Sequence, residues 1–352
     1  MNASDERPNI YGLGRAELAA AIAPLDPARF RARQVFAALY RRGVVDPSAW
    51  TDLPAALRGR IAEEFRCVRP RIASRALAAD GTLKVVFALP GGGEVEAVAI
   101  REPERTTFCV SSQVGCAFGC AFCMTARLGF GRNLEPGEIV GQVAELVAET
   151  GTAPGQFNIV FMGMGEPLHN FDNVLAAIDI LTDEEGFGLG GRRITISTVG
   201  LAHRILELAR RGTPVRLAVS LVVADEALRA RLMPVAGRRP LPELAAAIRA
   251  FGEGKRDRPT LEAVLLDGVN DAPRHAELMA AFAREARAKV NLIEFNPTPE
   301  LPYLPSPEER IQQYLRILRD GGVVGTVRRS RGRDACAACG QLAFLERNDA
   351  GD

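Results

Sequence analysis

The 352-residue sequence contains no apolar run approaching the ~18 to 20 residues needed to span a bilayer, so no membrane helix is expected. Its first residues, Met1-Asn2-Ala3-Ser4-Asp5-Glu6-Arg7, lack the basic-then-apolar pattern of a secretory signal, and a cytoplasmic location is expected. Net charge is also scarce. At +1 it makes no global demand for a polyanionic partner, so any nucleic-acid surface has to be local. Histidine is rare: His169, His203 and His275 are scattered without ligand spacing, which argues for solvated or locally satisfied side chains rather than a histidine metal centre. Internal repeats and low-complexity tracts are missing apart from Ala-rich helices.

What is present fits an ordinary globular protein, 47% apolar and 25% charged. The length allows one barrel-sized domain plus a small accessory domain. In a reducing compartment structural disulfides are disfavoured. The seven cysteines therefore point to metal binding or catalysis where they cluster, at Cys109 to Cys123 and at Cys336 to Cys339. Cys67 stands alone and reads as a small buried hydrophobe.

Helical patterns occupy Arg15 to Ile22, Phe30 to Tyr40 and Pro54 to Phe65, punctuated by Pro24, Pro27, Pro47 and Pro54. Strands are expected at Thr82 to Leu89 and Val95 to Ile100, joined by the Gly91-Gly92-Gly93 turn. Residues 1–103 thus form an accessory region. From Thr106 onward, six short β-branched or apolar runs each precede a helical stretch: Thr107 to Val110, Asn158 to Met162, Arg193 to Ser197, Val215 to Leu221, Thr260 to Leu266 and Val290 to Phe295. This alternation implies an α/β fold with a parallel sheet and outer helices, either an open doubly wound sheet or an incomplete barrel. In both, ligands gather at the carboxyl ends of the strands. Cys116, Gly163 to Pro167, Ser197, Ser220 and Asn296 fall there.

Cys116-x-x-x-Cys120-x-x-Cys123 can wrap one compact cluster. Three thiolates leave one iron of a [4Fe-4S] cluster without a protein ligand and free to bind a small molecule. A zinc site completed by Cys109, Cys336 or Cys339 is the alternative, although zinc more often uses paired Cys-x-x-Cys spacing. Phe118 and Phe122 could shield a cluster, and core packing explains them equally well. Gly163-Met164-Gly165-Glu166-Pro167 follows an apolar strand and allows close backbone approach to a ligand. It fails as a dinucleotide fingerprint because the third glycine is missing. An amino-group contact by this strand end or its glutamate suits it better than a mere turn.

Cys109-Val-Ser-Ser-Gln-Val-Gly-Cys116, the three-cysteine loop, Gly129-Phe-Gly-Arg-Asn-Leu134, Met162-Gly-Met-Gly-Glu-Pro-Leu168 and Ala338-Cys339-Gly-Gln-Leu342 occur in that order. Together with the N-terminal Phe30-Arg-Ala-Arg-Gln-Val35 they resemble the RlmN/Cfr family of radical SAM RNA adenine methyltransferases, over nearly the whole chain. The resemblance implies a partial (β/α)6 radical SAM barrel over residues 104–345, a small N-terminal helical accessory domain and a short tail at 346–352. It implies one [4Fe-4S] cluster on Cys116, Cys120 and Cys123, with S-adenosylmethionine (SAM) as cofactor and methyl donor. The substrate it implies is an adenine of 23S rRNA, with a tRNA adenine as a second substrate for many members. The RlmN branch modifies C2 and the Cfr branch C8; Glu166-Pro167-Leu168 and the full N-terminal region look more like RlmN.

By the same resemblance Cys339 accepts a methyl group, Cys109 releases the product through a transient disulfide, and Glu96, in Val95-Glu96-Ala97-Val98, is the candidate proton acceptor. As plain strand residues, Cys109 would be a buried thiol and Glu96 a solvated carboxylate. SAM contacts carried over by motif are Gly165, Glu166, Ser197, Ser220, Leu221, Val222 and Asn296. An electron donor such as flavodoxin or ferredoxin is implied, and a monomer is expected. Local basic patches, Arg328, Arg329, Arg331 and Arg333 or Arg29, Arg31, Arg33, Arg41 and Arg42, could hold RNA. The sequence departs from the family at Val222, where a histidine is usual, at Met233-Pro-Val-Ala236, and at the extra thiol Cys336. These departures leave open a divergent member acting on C8 or on another RNA. A non-catalytic, zinc-bound RNA-binding protein is the reading from a different class.

Overall fold

The computed structural model describes residues 6–153, 155–332 and 334–343. Twelve strands are found among them: β1 (Arg71–Leu77), β2 (Leu83–Ala88), β3 (Glu94–Glu102), β4 (Arg105–Cys109), β5 (Gln113–Gly115), β6 (Phe130–Asn133), β7 (Phe157–Phe161), β8 (Ile194–Thr198), β9 (Arg216–Ser220), β10 (Thr260–Leu265), β11 (Lys289–Glu294) and β12 (Gly325–Arg328). Ten of them form one sheet in the order β1-β2-β3-β4-β7-β8-β9-β10-β11-β12, and β5 pairs with β6 separately. From β4 onward neighbouring strands of the large sheet are parallel, whereas β1 to β4 are antiparallel. Helices Phe171–Thr182, Ala202–Arg210, Leu241–Gly252, Pro273–Glu285 and Glu308–Asp320 make the later crossovers. The sheet does not close on itself, since β1 and β12 end it. The expected partial barrel is therefore present, with β12 as a seventh parallel strand beyond the six legible in the sequence.

The parallel strands are near-continuous apolar runs because helices cover one face and the barrel interior the other. Phe108, Phe157, Ile159, Ile194, Ile196, Val219, Leu261 and Val290 are all fully buried. Phe108 of β4 and Phe157 of β7 stack with ring centroids 4.8 Å apart. The expected glycine turn is the β2–β3 hairpin: Leu89 N donates to Gly93 O at 3.0 Å, and Gly92 and Gly93 take φ of 84° and 82°, conformations that cost other residues dearly. Among the described residues no helix is long and apolar enough to cross a membrane.

Helices Arg15–Ile22, Phe30–Phe36 and Ala55–Glu64 bury Leu18, Ile22, Val35, Phe36, Leu57 and Ile61 around Trp50. The Trp50 indole is satisfied by donating to Val44 O at 3.0 Å. This helical unit docks on the barrel where Gly12 and Gly137 face each other: a Cβ on Gly12 would lie 2.5 Å from Gly137 N, and one on Gly137 would lie 2.3 Å from Tyr11 O. Arg15 pairs with Asp183 at 2.8 Å, and Arg33 pairs with Glu185, both acceptors lying just past helix Phe171–Thr182. The strands expected in the accessory region, β2 and β3, join the barrel sheet instead, because β3 continues into β4 as an antiparallel hairpin from Val98↔Cys109 to Glu102↔Arg105.

Candidate active site

The loop between β5 and the short helix Met124–Arg127 carries the three cysteines. Its entrance is fixed by Gly115, whose φ is 70° and where a Cβ would lie 1.9 Å from Gly129 O. Cys116 N donates to that carbonyl at 2.7 Å. The far side is clasped twice: Ala121 N donates to Leu232 O at 2.9 Å, and Met124 N donates to Gly340 O at 2.9 Å. Thr125 Oγ1 adds a bond to Leu342 O at 2.7 Å. A segment more than two hundred residues away in sequence thereby brings Cys339 to the cluster loop.

Burial pushes the Cys116 thiol up to about 12, and it also raises Cys120 and Cys123; charge on neighbouring cysteines adds to the effect at all three. Sulfurs that oppose one another's ionisation in this way suit a strongly cationic group between them. Arg229, only 1% exposed, lies behind the loop and acts electrostatically on Cys120. It donates to Ala236 O at 2.9 Å and Val199 O at 3.0 Å and leaves its Nε unpartnered. A buried cation there offsets the negative charge that several thiolates would bring. The donor set fits a [4Fe-4S] cluster.

A cavity of about 160 Å³ adjoins the loop at the carboxyl ends of the strands. It brings together Cys123, Gly165, Glu166, Ser197, Ser220, Asn296 and Cys339. Gly163 and Gly165 are needed where this strand end passes β4 and β5: a Cβ on Gly163 would lie 2.7 Å from Val110 O, and one on Gly165, at φ 99°, would lie 2.5 Å from Gln113 Cβ. Glu166 is buried, which raises its carboxyl to about 7 despite backbone N–H groups of Leu168 at 2.9 Å and Val199 at 2.8 Å. Asn296 donates from Nδ2 to Cys339 O at 3.1 Å, while its buried Oδ1 has no partner. An unsatisfied acceptor and a buried carboxyl facing one cavity suit a ligand with ammonium and hydroxyl donors, as SAM has.

Leu221 and Val222 do not line this cavity. Both are fully buried in the core, and Val222 holds a left-handed φ of 66°, unusual for a β-branched residue. Its N–H donates to Glu262 O at 3.0 Å and its carbonyl accepts from Asn270 Nδ2 at 3.1 Å, which fixes the turn and leaves Ser220 as the member of that trio in the cavity.

Cys109 ends β4, buried and outside the cavity lining; burial pushes its thiol up to about 12, with Cys339 raising it further and Arg328 opposing. Glu96 is completely buried rather than solvated. It lies 3.0 Å from Lys84 Nζ, and neither carboxylate oxygen accepts a hydrogen bond of ordinary geometry. The β3–β4 register sets Val98 opposite Cys109, so Glu96, two residues away on β3, shares a face with Cys109. All seven cysteines are free thiols.

The sequence missed Glu262 and placed Arg328 wrongly. Glu262 lines the cavity from mid-β10, its carboxyl raised by burial and accepting from Asn291 Nδ2 at 2.9 Å. The signal was a lone charge inside the apolar run Thr260-Leu-Glu-Ala-Val-Leu265. Arg328 turns inward to Met162 Sδ at 3.3 Å instead of joining a surface patch. Of the other expected RNA-binding arginines, Arg31, Arg42, Arg329 and Arg331 pair with Asp26, Asp52, Glu308 and Glu102, and Arg33 with Glu185. Arg29 and Arg41 are exposed, and Arg333 lies outside the described residues. His169 is locally satisfied, its Nδ1 2.9 Å from Gln113 Nε2. A larger cavity, about 790 Å³, opens at the opposite ends of the strands, where none of the motif residues falls.

Residues 110–279 match the radical SAM superfamily, and residues 8–67 match the ribosomal RNA large subunit methyltransferase N-terminal domain. A dual-specificity RNA methyltransferase RlmN of Halorhodospira halophila is 46% identical over 335 residues, covering 95% of this chain and 92% of that protein. Its counterpart in Anaeromyxobacter dehalogenans is 43% identical over 345 residues, covering 96% and 92%. The crystal structure of a radical SAM methyltransferase from Sphaerobacter thermophilus aligns with a TM-score of 0.89 at 43% identity, over 95% of this chain and 99% of that one. Radical SAM enzymes use a [4Fe-4S] cluster and SAM, the groups that the cysteine loop and its adjoining cavity fit. The chain belongs to the RlmN family of radical SAM RNA methyltransferases.

Proposed function

We propose that this enzyme methylates C2 of an adenine in 23S rRNA and also an adenine of tRNA, through a methyl group carried on Cys339. The observation that supports it most is the placement of Cys339 and the cluster-loop residue Cys123 in one cavity, with Cys109 one strand end away. The dual specificity named for the relatives, and their similarity along almost the whole chain, favour two RNA substrates and the C2 position.

C2 of adenine is an electrophilic amidine carbon and does not attack a methyl sulfonium as a nucleophile would. When bound, the cluster and SAM supply one-electron chemistry that makes the methyl carbon on Cys339 reactive towards such a ring. Cys116, Cys120 and Cys123 hold the cluster; Gly165, Glu166, Ser197, Ser220 and Asn296 orient SAM. Cys339 carries the methyl group and then the tethered RNA. Glu96 takes the ring proton, turning from Lys84 to do so, and Cys109 attacks the Cys339 sulfur to free the product. The arginines left exposed at Arg29 and Arg41 make the accessory helices part of the RNA contact. Flavodoxin or ferredoxin is the electron source, and the enzyme acts as a cytoplasmic monomer.

The deciding experiment incubates the reduced, cluster-loaded enzyme with labelled SAM and total RNA, then maps the modified base by mass spectrometry. The expected product is 2-methyladenosine in both 23S rRNA and tRNA. A C8 product, or label in another RNA class alone, overturns the assignment. Cys109→Ala should leave RNA covalently attached to protein, and Cys339→Ala should abolish methylation; normal turnover in either variant sinks the two-thiol scheme.

A further inference from the structure

Arg328 closes β12, and its pairing with Ile293 sets it at the carboxyl end of the parallel sheet. Its side chain leaves the strand inward. Nη1 meets Met162 Sδ, just past the end of β7, at 3.3 Å. Since β4 and β12 are the outermost members of the parallel run, this reach crosses the open seam of the barrel.

A guanidinium has five N–H donors and is charged at every accessible pH. Inward-turned arginines usually meet a carboxylate in bidentate fashion. Among the described residues Arg328 forms no ion pair within contact distance of a carboxylate, and its hydrogen bond goes to a thioether, a weak acceptor. The groups that act on its charge are Cys339 first, then Glu262, Cys109 and Glu102. Seen from Cys109, the charged or titratable groups acting on it are Cys339, from the C-terminal segment, and Arg328, from β12. Cys109 pairs with Val160, two residues before Met162, so the guanidinium held at Met162 Sδ lies at the strand end where Cys109 sits, and its charge acts on both thiols.

Cys109 needs that cation. It is buried at the end of β4, where a bare thiolate has little solvent to stabilise it, yet only the thiolate attacks sulfur. We propose that Arg328 is the positioning residue that holds negative charge on the Cys109 sulfur while Cys109 frees methylated RNA from Cys339. The inference rests on the two-thiol reading above. In the step concerned, the Cys109 and Cys339 sulfurs form an S–S bond and the bond from Cys339 sulfur to the methylene carbon breaks. The electron pair passes to that carbon, which takes up a proton as the product leaves. Carbon is reduced while the Cys109 thiolate and the Cys339 thioether sulfur are oxidised to a disulfide; an external dithiol reductant then returns both to thiols.

The test compares wild type, Arg328→Met and Arg328→Lys as cluster-loaded enzymes, with SAM, reductant and a radiolabelled 23S rRNA transcript. Acid-quenched samples on denaturing gels report protein-bound RNA over time and pH. Arg328→Met should accumulate the Cys339-linked RNA and release it about tenfold more slowly near neutral pH. Its release profile should move to higher pH, because losing the cation raises the Cys109 thiol, and Arg328→Lys should recover most of the rate. In the unloaded full-length chain, iodoacetamide labelling of Cys109 should move to higher pH in the same order. Wild-type release with an unmoved profile in Arg328→Met overturns the proposal, as does equal impairment of both variants without trapped RNA, the mark of a purely structural role. If wild-type Cys339 never carries methyl by peptide mass, the two-thiol reading fails first, and the proposal with it.

Discussion

Lys84 and Glu96 offer the sharpest test of the energetics beneath the site. Their side chains are 6% and 0% exposed and face each other at 3.0 Å across the β2–β3 pair. At that distance, with an effective dielectric of about 20, the attraction is about 5 kcal/mol, which largely offsets the cost of taking both charges from water. Lys84→Met leaves a carboxylate in the core with the desolvation cost uncompensated, so a loss of about 3–5 kcal/mol is expected. Against a total stability of about 5–15 kcal/mol this would leave the variant marginal. Glu96→Gln should cost a similar amount. Lys84→Met combined with Glu96→Gln removes both charges at nearly constant volume and should return to within about 2 kcal/mol of wild type. Urea unfolding of the four proteins, followed by tryptophan fluorescence from Trp50 and by circular dichroism, gives the cycle. Single variants within about 1 kcal/mol of wild type, or a double variant as unstable as the two singles summed, would refute a coupled buried pair.

The Glu166 carboxyl, raised from 4.5 to about 7 by burial, makes the fold prefer its neutral form. Its stabilising contribution is complete below the unfolded value and is lost as pH rises through the folded one. The stability difference between the cofactor-free wild type and Glu166→Gln should therefore change by about 3 kcal/mol between pH 4.5 and 7, and a parallel pair of curves would contradict it. Gly165→Ala should weaken SAM binding at least about tenfold and cost about 2 kcal/mol of stability, since the new Cβ meets Gln113 in a left-handed turn; calorimetric titration and thermal melting measure both. Asn296→Ala, which removes the acceptor with no partner in the cavity and the bond to Cys339 O, should raise the SAM dissociation constant by about tenfold while costing only about 1 kcal/mol of stability.

Local chemistry made most of the barrel legible. Strand runs such as Asn158 to Met162 and Thr260 to Leu266 are buried on both faces, so their apolar continuity announces them, and the helices between them keep a 3.6-residue period. β1 and β12 gave no such signal. Arg71–Leu77 is an edge strand with exposed side chains, and Gly325–Arg328 is short and polar, so pairing with a neighbour, rather than composition, makes each a strand. The three-cysteine loop was visible because its thiols lie within eight residues of one another.

Sequence spacing could not decide which distant side chains share a cavity. Glu96 reads as a surface strand residue until Lys84 is found diagonally across from it on β2, and Val222 reads as a ligand contact until the turn at φ 66° sends it into the core. Arg328 reads as one of a run of surface arginines until the end of β12 turns it inward to Met162. The sequence by itself determined most of the elements, the three-cysteine motif and the family, because each depends on near neighbours or on motif order. Only the tertiary structure decided where the buried charges of Glu96, Glu262 and Arg328 fall, because burial and ion pairing arise between strands brought together by the sheet order.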